Sequence, residues 1–191
     1  GTGVVLEHAN LIKKIAFPSE LLPVYQVVVY HVYFLIGFSI LLAVEAVVNS
    51  GLPLALAWFP AVLVVQMMFI TGLAMVLSAA NVFVRDVMQA VPILLTFWMF
   101  TTPVFYDPMS ILDAAKASGN EDAAHWALNA GTAMHFNPMA ILIQIYRAIF
   151  SYGRIPFPLV GLLKLALVAA GVLWLGYAYF LRSKGRFADE V

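Results

Sequence analysis

The 191-residue sequence contains no cysteine. That excludes a disulfide framework, a thiolate nucleophile and a zinc site built on cysteine. Charge is also scarce: Asp, Glu, Lys and Arg make up 10% of the chain, against about a quarter in soluble domains. The ten basic and ten acidic residues cancel, so nothing in the charge balance draws the chain to a polyanion, and no nucleic-acid partner is expected. No G-x-x-x-x-G-K-S/T loop is present to cradle ATP phosphates. His125 and His135 lack metal-ligand spacing and read as loop residues, so no metal is expected. Scattered Ser, His and Asp residues form no nucleophilic arrangement, and no internal repeat is visible. The first twenty residues lack the long apolar core and A-x-A site of a signal peptide. The chain begins with Gly1 rather than Met, so it is expected to be either processed or a fragment.

Apolar residues dominate: 63% of the chain is hydrophobic, 14% is aromatic, and the mean hydropathy is +0.94. A membrane crossing needs roughly 20 predominantly apolar residues to span about 30 Å of hydrocarbon. Four stretches qualify, at residues 24–48, 54–80, 87–106 and 157–181. Asn49-Ser50-Gly51, Asn81, Asp107-Pro108 and the Arg182, Lys184, Arg186 cluster close them in turn. All four are too long for barrel strands, and backbone groups in lipid must be satisfied within the segment, so helices are expected. The fold class that follows is an all-α integral membrane protein with four transmembrane helices and short interfacial or re-entrant helices in its outer loop.

Four crossings put both ends on one side. Lys13, Lys14, Arg85, Arg182, Lys184 and Arg186 would lie on that side, and Lys116, Arg147 and Arg154 on the other. Basic residues favour the cytoplasm, so the termini are expected there and the 107–156 loop outside. That loop is too long to be a bare connection. A helix is expected from Pro108 to Lys116, broken at Gly119-Asn120 and followed by a polar stretch. Asn137-Pro138 then reads as a helix cap with proline in the first turn. The segment to Tyr152 is apolar except for Gln144, Arg147 and Ser151, which form one polar stripe. At about 15 residues it is too short to span and fits a re-entrant or interfacial helix.

Residues 10–18 form a short basic amphipathic segment, with Leu11, Ile12 and Ile15 on one helical face and Lys13 and Lys14 elsewhere. It suits an interfacial helix on anionic lipid or a docking helix for a cytoplasmic partner, and the residues leave both open. His31, Glu45 and Lys164 are the ionisable residues inside spans. Glu45 and Lys164 lie near enough to helix ends to snorkel. A neutral His31 could bond to a neighbouring helix or belong to a proton relay.

The third stretch is dense in aromatics and hydroxyls: Thr96, Phe97, Trp98, Phe100, Thr101, Thr102, Phe105 and Tyr106, with Pro92 and Pro103 to bend it. An interfacial aromatic belt accounts for Phe105 and Tyr106 better than for Phe97, Trp98 and Phe100, which lie deeper. Rings mixed with hydroxyls suit a sugar-conducting wall, because sugar C–H faces pack on rings while sugar hydroxyls need partners.

Four segments in order carry a resemblance. They are Asn10-Leu11-Ile12-Lys13-Lys14-Ile15-Ala16-Phe17-Pro18-Ser19-Glu20-Leu21-Leu22-Pro23, Asn81-Val82-Phe83-Val84-Arg85-Asp86-Val87, Thr102-Pro103-Val104-Phe105-Tyr106, and Asn137-Pro138-Met139 with Ile145-Tyr146-Arg147. Together they resemble the permease subunits of ABC exporters for polysaccharides and polyol phosphates, the O-antigen, capsule and teichoic-acid exporters. The resemblance covers roughly residues 5–182 and implies the later two-thirds of a six-span subunit, without its N-terminal third. It implies a non-enzymatic transport subunit in a bacterial cytoplasmic membrane, working as two permease chains with two ABC ATPase subunits. ATP and Mg would be bound by the ATPase and no cofactor by this chain, and a lipid-linked glycan would pass. Leu11, Ile12, Lys13, Lys14, Ile15, Phe17 and Pro18 would form the coupling helix, with Arg85 and Asp86 as a second ATPase contact. Phe97, Trp98, Phe100, Thr101 and Tyr106 would line the pathway. Asn137, Pro138, Gln144 and Arg147 would belong to gate helices at the outer mouth. A drug- or lipid-exporting ABC permease is the alternative within transport. An ion-coupled secondary transporter using His31, Glu45 and Lys164, or a membrane scaffold, are the alternatives outside it.

Overall fold

The computed structural model describes residues 2–3, 18–49, 51–84, 86–106, 108–119, 121–134, 136–151 and 157–186. Residues 11–17, the expected coupling helix, and Arg85 lie outside the described residues. Helices α1 (Leu21–Val48), α2 (Phe59–Phe83) and α7 (Leu159–Lys184) are long and apolar enough to cross a membrane. A 3₁₀ turn, Leu54–Trp58, leads into α2, extending that apolar unit to 30 residues. Helix α3 (Val87–Thr101) has 15 residues and a length of about 22 Å at 1.5 Å per residue, so it is shorter than the stretch read from the sequence. Pro103 ends it: a residue before proline is driven out of the helical region, and Thr102 adopts φ −95°, ψ 137°.

Three shorter helices fill the 107–156 loop: α4 (Pro108–Ala117), α5 (Glu121–Met134) and α6 (Pro138–Ile149). Gly119, at φ 69°, supplies the left-handed residue that closes α4. Helix α5 stands where the sequence reading placed only a polar stretch, and it carries His125 on a helix rather than in a loop. Helices α4 and α5 pair with each other through Leu112, Ala115 and Ala127 and touch the other helices little.

The core is built on α2 and α7. Gly72 and Gly176 face each other where they cross: a Cβ on Gly72 would lie 2.6 Å from the Leu173 backbone nitrogen, and one on Gly176 would strike the Gly72 carbonyl. Small residues let membrane helices approach backbone to backbone, which is where packing attraction is gained in lipid. Helix α6 inserts its apolar face against this pair. Ile141, Leu142, Ile145 and Ile149 join Val62, Val65, Phe69, Leu162, Leu165 and Ala169 in one core. A second cluster, Leu22, Met75, Ala79, Val82 and Phe180, closes the opposite end.

At that end the Lys184 ammonium lies 2.7 Å from the Glu20 carboxylate. The start of α1 and the finish of α7 are therefore side by side. The chain leaves α2 at this end and enters α7 at the other, so α3 is the segment that carries it back.

Candidate functional site

The C-terminal end of α3 is tied to α6, first through Asn137. Asn137 caps α6, its Oδ1 accepting from the Met139 backbone N–H at 3.0 Å. The same oxygen accepts from the Trp98 indole N–H at 3.0 Å. The Asn137 amide donates to the Thr102 hydroxyl at 3.0 Å, and that hydroxyl donates to the Trp98 carbonyl at 2.7 Å. One asparagine thus satisfies a helix start, an indole and a hydroxyl at the point where Pro103 breaks α3.

Arg147, two turns along α6, completes the tie. Its Nη2 lies 2.6 Å from the Pro103 carbonyl, 3.1 Å from that of Val104 and 3.3 Å from that of Tyr106. These carbonyls follow the last turn of α3, where no further helix exists to satisfy them, and a guanidinium complements the negative end of the helix dipole. Pro138 holds the first turn of α6, and Gln144 lies half-buried along it.

The five residues expected along a substrate pathway separate into two groups. Phe97 (69% exposed), Phe100 (63% exposed) and Thr101 share the outward face of α3. Trp98 turns inward, edge-on to Phe69 with ring centroids 6.3 Å apart, and Tyr106 is half-buried beside Arg147. Pro92 removes one rung from α3, and the Thr96 hydroxyl donates back to its carbonyl at 2.8 Å, an arrangement that bends helices.

Behind α3 is a cavity of about 360 Å³, walled by Gln26, Tyr30, His31, Phe34, Gln66 and Trp98 together with apolar side chains, and bordered by Thr2. Tyr146 of α6 donates to the Gln66 carbonyl oxygen at 2.6 Å, and its ring meets Phe34 and Phe38 edge-on or tilted. His31 is buried, but its Nδ1 bonds to the Val27 carbonyl of its own helix at 2.9 Å rather than to a neighbouring helix. From the sequence alone, Tyr146 enters only within the Ile145-Tyr146-Arg147 segment, and Gln26 and Gln66 do not enter at all. An uncharged polar residue in a long apolar run was the signal that could have found the two glutamines. Of the other ionisable residues, Glu45 accepts from the Asn49 side chain at 2.6 Å near the end of α1, and Lys164 is exposed.

At the opposite end, the buried Asn81 accepts from the Met88 backbone N–H at 3.0 Å, and the Asp86 carbonyl accepts from Gln89 and Ala90. Asn81 thereby fixes the turn from α2 into α3. Asp86 and Pro18 are exposed there. The hydrogen bond from Lys184 holds the Glu20 carboxyl below the usual carboxylate range, against a smaller opposing effect of burial. Among the described residues, no cluster of three His, Asp or Glu side chains could hold a metal.

The profile of the ABC-2 type transporter family matches residues 4–117, more than half of the chain. The O-antigen export system permease protein RfbA of Myxococcus xanthus is 29% identical over 191 residues, covering 100% of this chain and 68% of that protein. A protein of the same name from Klebsiella pneumoniae is 25% identical over 185 residues, covering 96% of this chain and 65% of its own length. A second Klebsiella pneumoniae protein of that name is 24% identical over the same shares. The chain thus spans about two thirds of the length of the curated relatives it matches.

Proposed function

The chain belongs to the ABC-2 type transporter family, and on that premise we propose that it is membrane-spanning permease sequence from an ATP-driven exporter of O-antigen-type polysaccharide. The observation that carries this reading is the match over the whole of the chain to an O-antigen export permease. The aromatic and hydroxyl face of α3, left uncovered by the rest of the chain, supports it.

In this reading the chain does no chemistry. A separate ABC ATPase binds and hydrolyses ATP with Mg, and its movement reaches the membrane through residues 11–18 and the turn holding Arg85 and Asp86. The pairing of Glu20 with Lys184 supports putting both ends on one side. Arg182, Lys184 and Arg186 favour the cytoplasm for that side of a bacterial cytoplasmic membrane. Two copies flank the conduit, with Phe97, Phe100 and Thr101 facing a lipid-linked glycan. Trp98 and Tyr106 hold the wall from behind. Asn137 and Arg147 latch the outer gate helix α6 to the wall, with Pro138 and Gln144 on the same helix.

The test is deletion of the complete gene in its source strain, with complementation. We expect surface polysaccharide to disappear, lipid-linked glycan to accumulate inside, and both to revert on complementation. An ABC ATPase should co-purify with the complete protein. Undiminished surface polysaccharide in the deletion strain overturns the reading, and loss of a drug or lipid export phenotype instead would transfer it to that substrate.

A further inference from the structure

Helix α7 gives one face to its own chain and leaves the other bare. Leu162, Leu165, Ala169, Gly176, Phe180 and Ser183 are buried against the core. Lys164, Gly171, Leu175 and Arg182 are exposed. At 3.6 residues per turn these four fall within about 20° of one line along the helix, well away from the buried set. A Cβ added to Gly171 would meet nothing within 4 Å, so no other described element approaches the middle of this line.

The line begins and ends in cations. Lys164 and Arg182 are separated by five full turns, about 27 Å along the axis, against about 30 Å of hydrocarbon in a bilayer. Arg186 follows one turn beyond, exposed, its backbone N–H bonded to the Ser183 carbonyl at 3.0 Å. Lys184 turns to the covered side and pairs with Glu20. Among the described residues no carboxylate pairs with Lys164, Arg182 or Arg186. Helices α1, α2 and α3 contain no Lys or Arg, so this pattern belongs to α7.

Charge decides what covers such a face. Two copies related by a two-fold axis along the membrane normal run parallel, and the same patch meets itself. Helix α7 against α7 would therefore set lysine against lysine and arginines against arginines. Phospholipid meets every part of the face. Acyl chains cover the apolar middle, and phosphates meet the cations at the two boundaries. The Cα–Cβ bond of Lys164 leans towards the helix N-terminus, its nearer boundary, which lets the ammonium reach the head groups. Two guanidiniums one turn apart present planar donor forks that match phosphate oxygens.

We propose that this face of α7 binds an anionic phospholipid, with its phosphate held by Arg182 and Arg186 and one acyl chain along Leu175, Gly171 and Val168. Lys164 meets a head group of the opposite leaflet. The inference needs only that α7 crosses a bilayer, and it stands whichever substrate the transporter moves.

The experiment uses the full chain in phosphatidylcholine nanodiscs. A small fluorophore is placed on Trp174→Cys, an exposed position beside this face, or on Ile40→Cys, an exposed position on α1. Phosphatidylglycerol and phosphatidylcholine with brominated acyl chains are the probes, and quenching reads which lipid lies against the label. At position 174 we expect phosphatidylglycerol to be favoured at least about fivefold, the effect of one cation near a membrane surface. At position 40 the two lipids should agree within about twofold, since α1 brings no cation there. Arg182→Gln with Arg186→Gln should bring position 174 down to the level of position 40. Arg182→Lys with Arg186→Lys should keep most of the preference, because the charge remains. Equal quenching by the two lipids at position 174, or a preference that survives the glutamine pair, overturns the proposal. Quenching by neither lipid at position 174 also overturns it, because protein would then cover the face.

Discussion

Helices α2 and α3 follow one another in the chain and are both almost wholly apolar, yet α2 buries nine residues and α3 none. The difference lies in side-chain size. Helix α2 presents Gly72, Ser78 and Ala79 to its neighbours, and α7 answers with Ala169 and Gly176, so the backbones close on each other. Helix α3 presents Ile93, Leu94, Phe97 and Phe100, which hold any neighbour at a distance and stand exposed. Hydropathy says that both segments leave water. The distribution of small residues says which is covered by its own chain, and which is left for lipid, a second copy or a substrate.

The sharpest way to break this contrast is to put bulk into the small-residue crossing. Gly176→Val drives a side chain into the Gly72 backbone, which cannot move aside as a flexible side chain would. Overpacking in cores costs about 1–3 kcal/mol and occasionally more. We expect the top of that range or beyond, seen as loss of monodisperse protein in detergent. Unchanged thermal stability would mean that α2 and α7 do not cross at these glycines.

Arg147→Ala comes next. It releases the three carbonyls beyond α3, and hydrogen bonds from a charged group contribute about 1.5–3 kcal/mol. We expect a loss of about 2 kcal/mol by thermal unfolding, and faster labelling of a cysteine placed at Val104. Arg147→Lys keeps the charge, but its ammonium does not sit where Nη2 does, and it should recover only part of the loss. Equal stability of all three proteins would remove the latch.

The two sides of α3 should then part company. Phe97→Ala and Phe100→Ala alter exposed rings and should change stability by no more than about 0.5 kcal/mol while lowering export. Trp98→Ala loses the Asn137 bond and the Phe69 contact, so it should cost stability as well as export. If all three variants behave alike, the distinction between wall and support is lost.

The smallest effect belongs to the Glu20–Lys184 pair. A carboxyl held low by its partner adds stability above its ordinary value of 4.5, and that contribution disappears as pH falls through the lowered folded value. With the Lys184 side chain 39% exposed, solvent screens much of the interaction. Lys184→Met should therefore reduce stability slightly at pH 7 and make no difference once the pH is well below 4.5. A difference that grows on acidification would contradict the assigned sign.

Much of this architecture was legible in the residues. The three long helices follow from uninterrupted apolar runs, and Asn137-Pro138 marks the start of α6 as cap and first turn. The early end of α3 was also legible through the constraint Pro103 puts on Thr102, but the apolar run through Tyr106 hid it. Helix α5 was missed because Asn129, Gly131 and Thr132 interrupt its apolar spacing, while Glu121 and Asp122, favourable at a helix start, went unweighed. Trp98 and Arg147 stood out from sequence. Their roles did not, because whether an aromatic faces a conduit or supports it depends on partners 39 and 44 residues away in the chain. Gln26 and Gln66 gain meaning only when α1 and α2 enclose a cavity between them.

If the bare face of α3 lines an aqueous glycan conduit, as proposed, it meets water rather than lipid. Because the chain has no native cysteine, single-cysteine variants of the complete protein in native membranes test it directly. Phe100 on α3 and Ile40 on α1 are each 63% exposed in the isolated chain, and each is replaced in turn, as Phe100→Cys and Ile40→Cys. We expect a charged, water-soluble thiol reagent to label position 100 at least about tenfold faster than position 40, and labelling at 100 to slow when glycan is stalled in transit. Equal, slow labelling at both positions would put α3 against lipid and contradict the account.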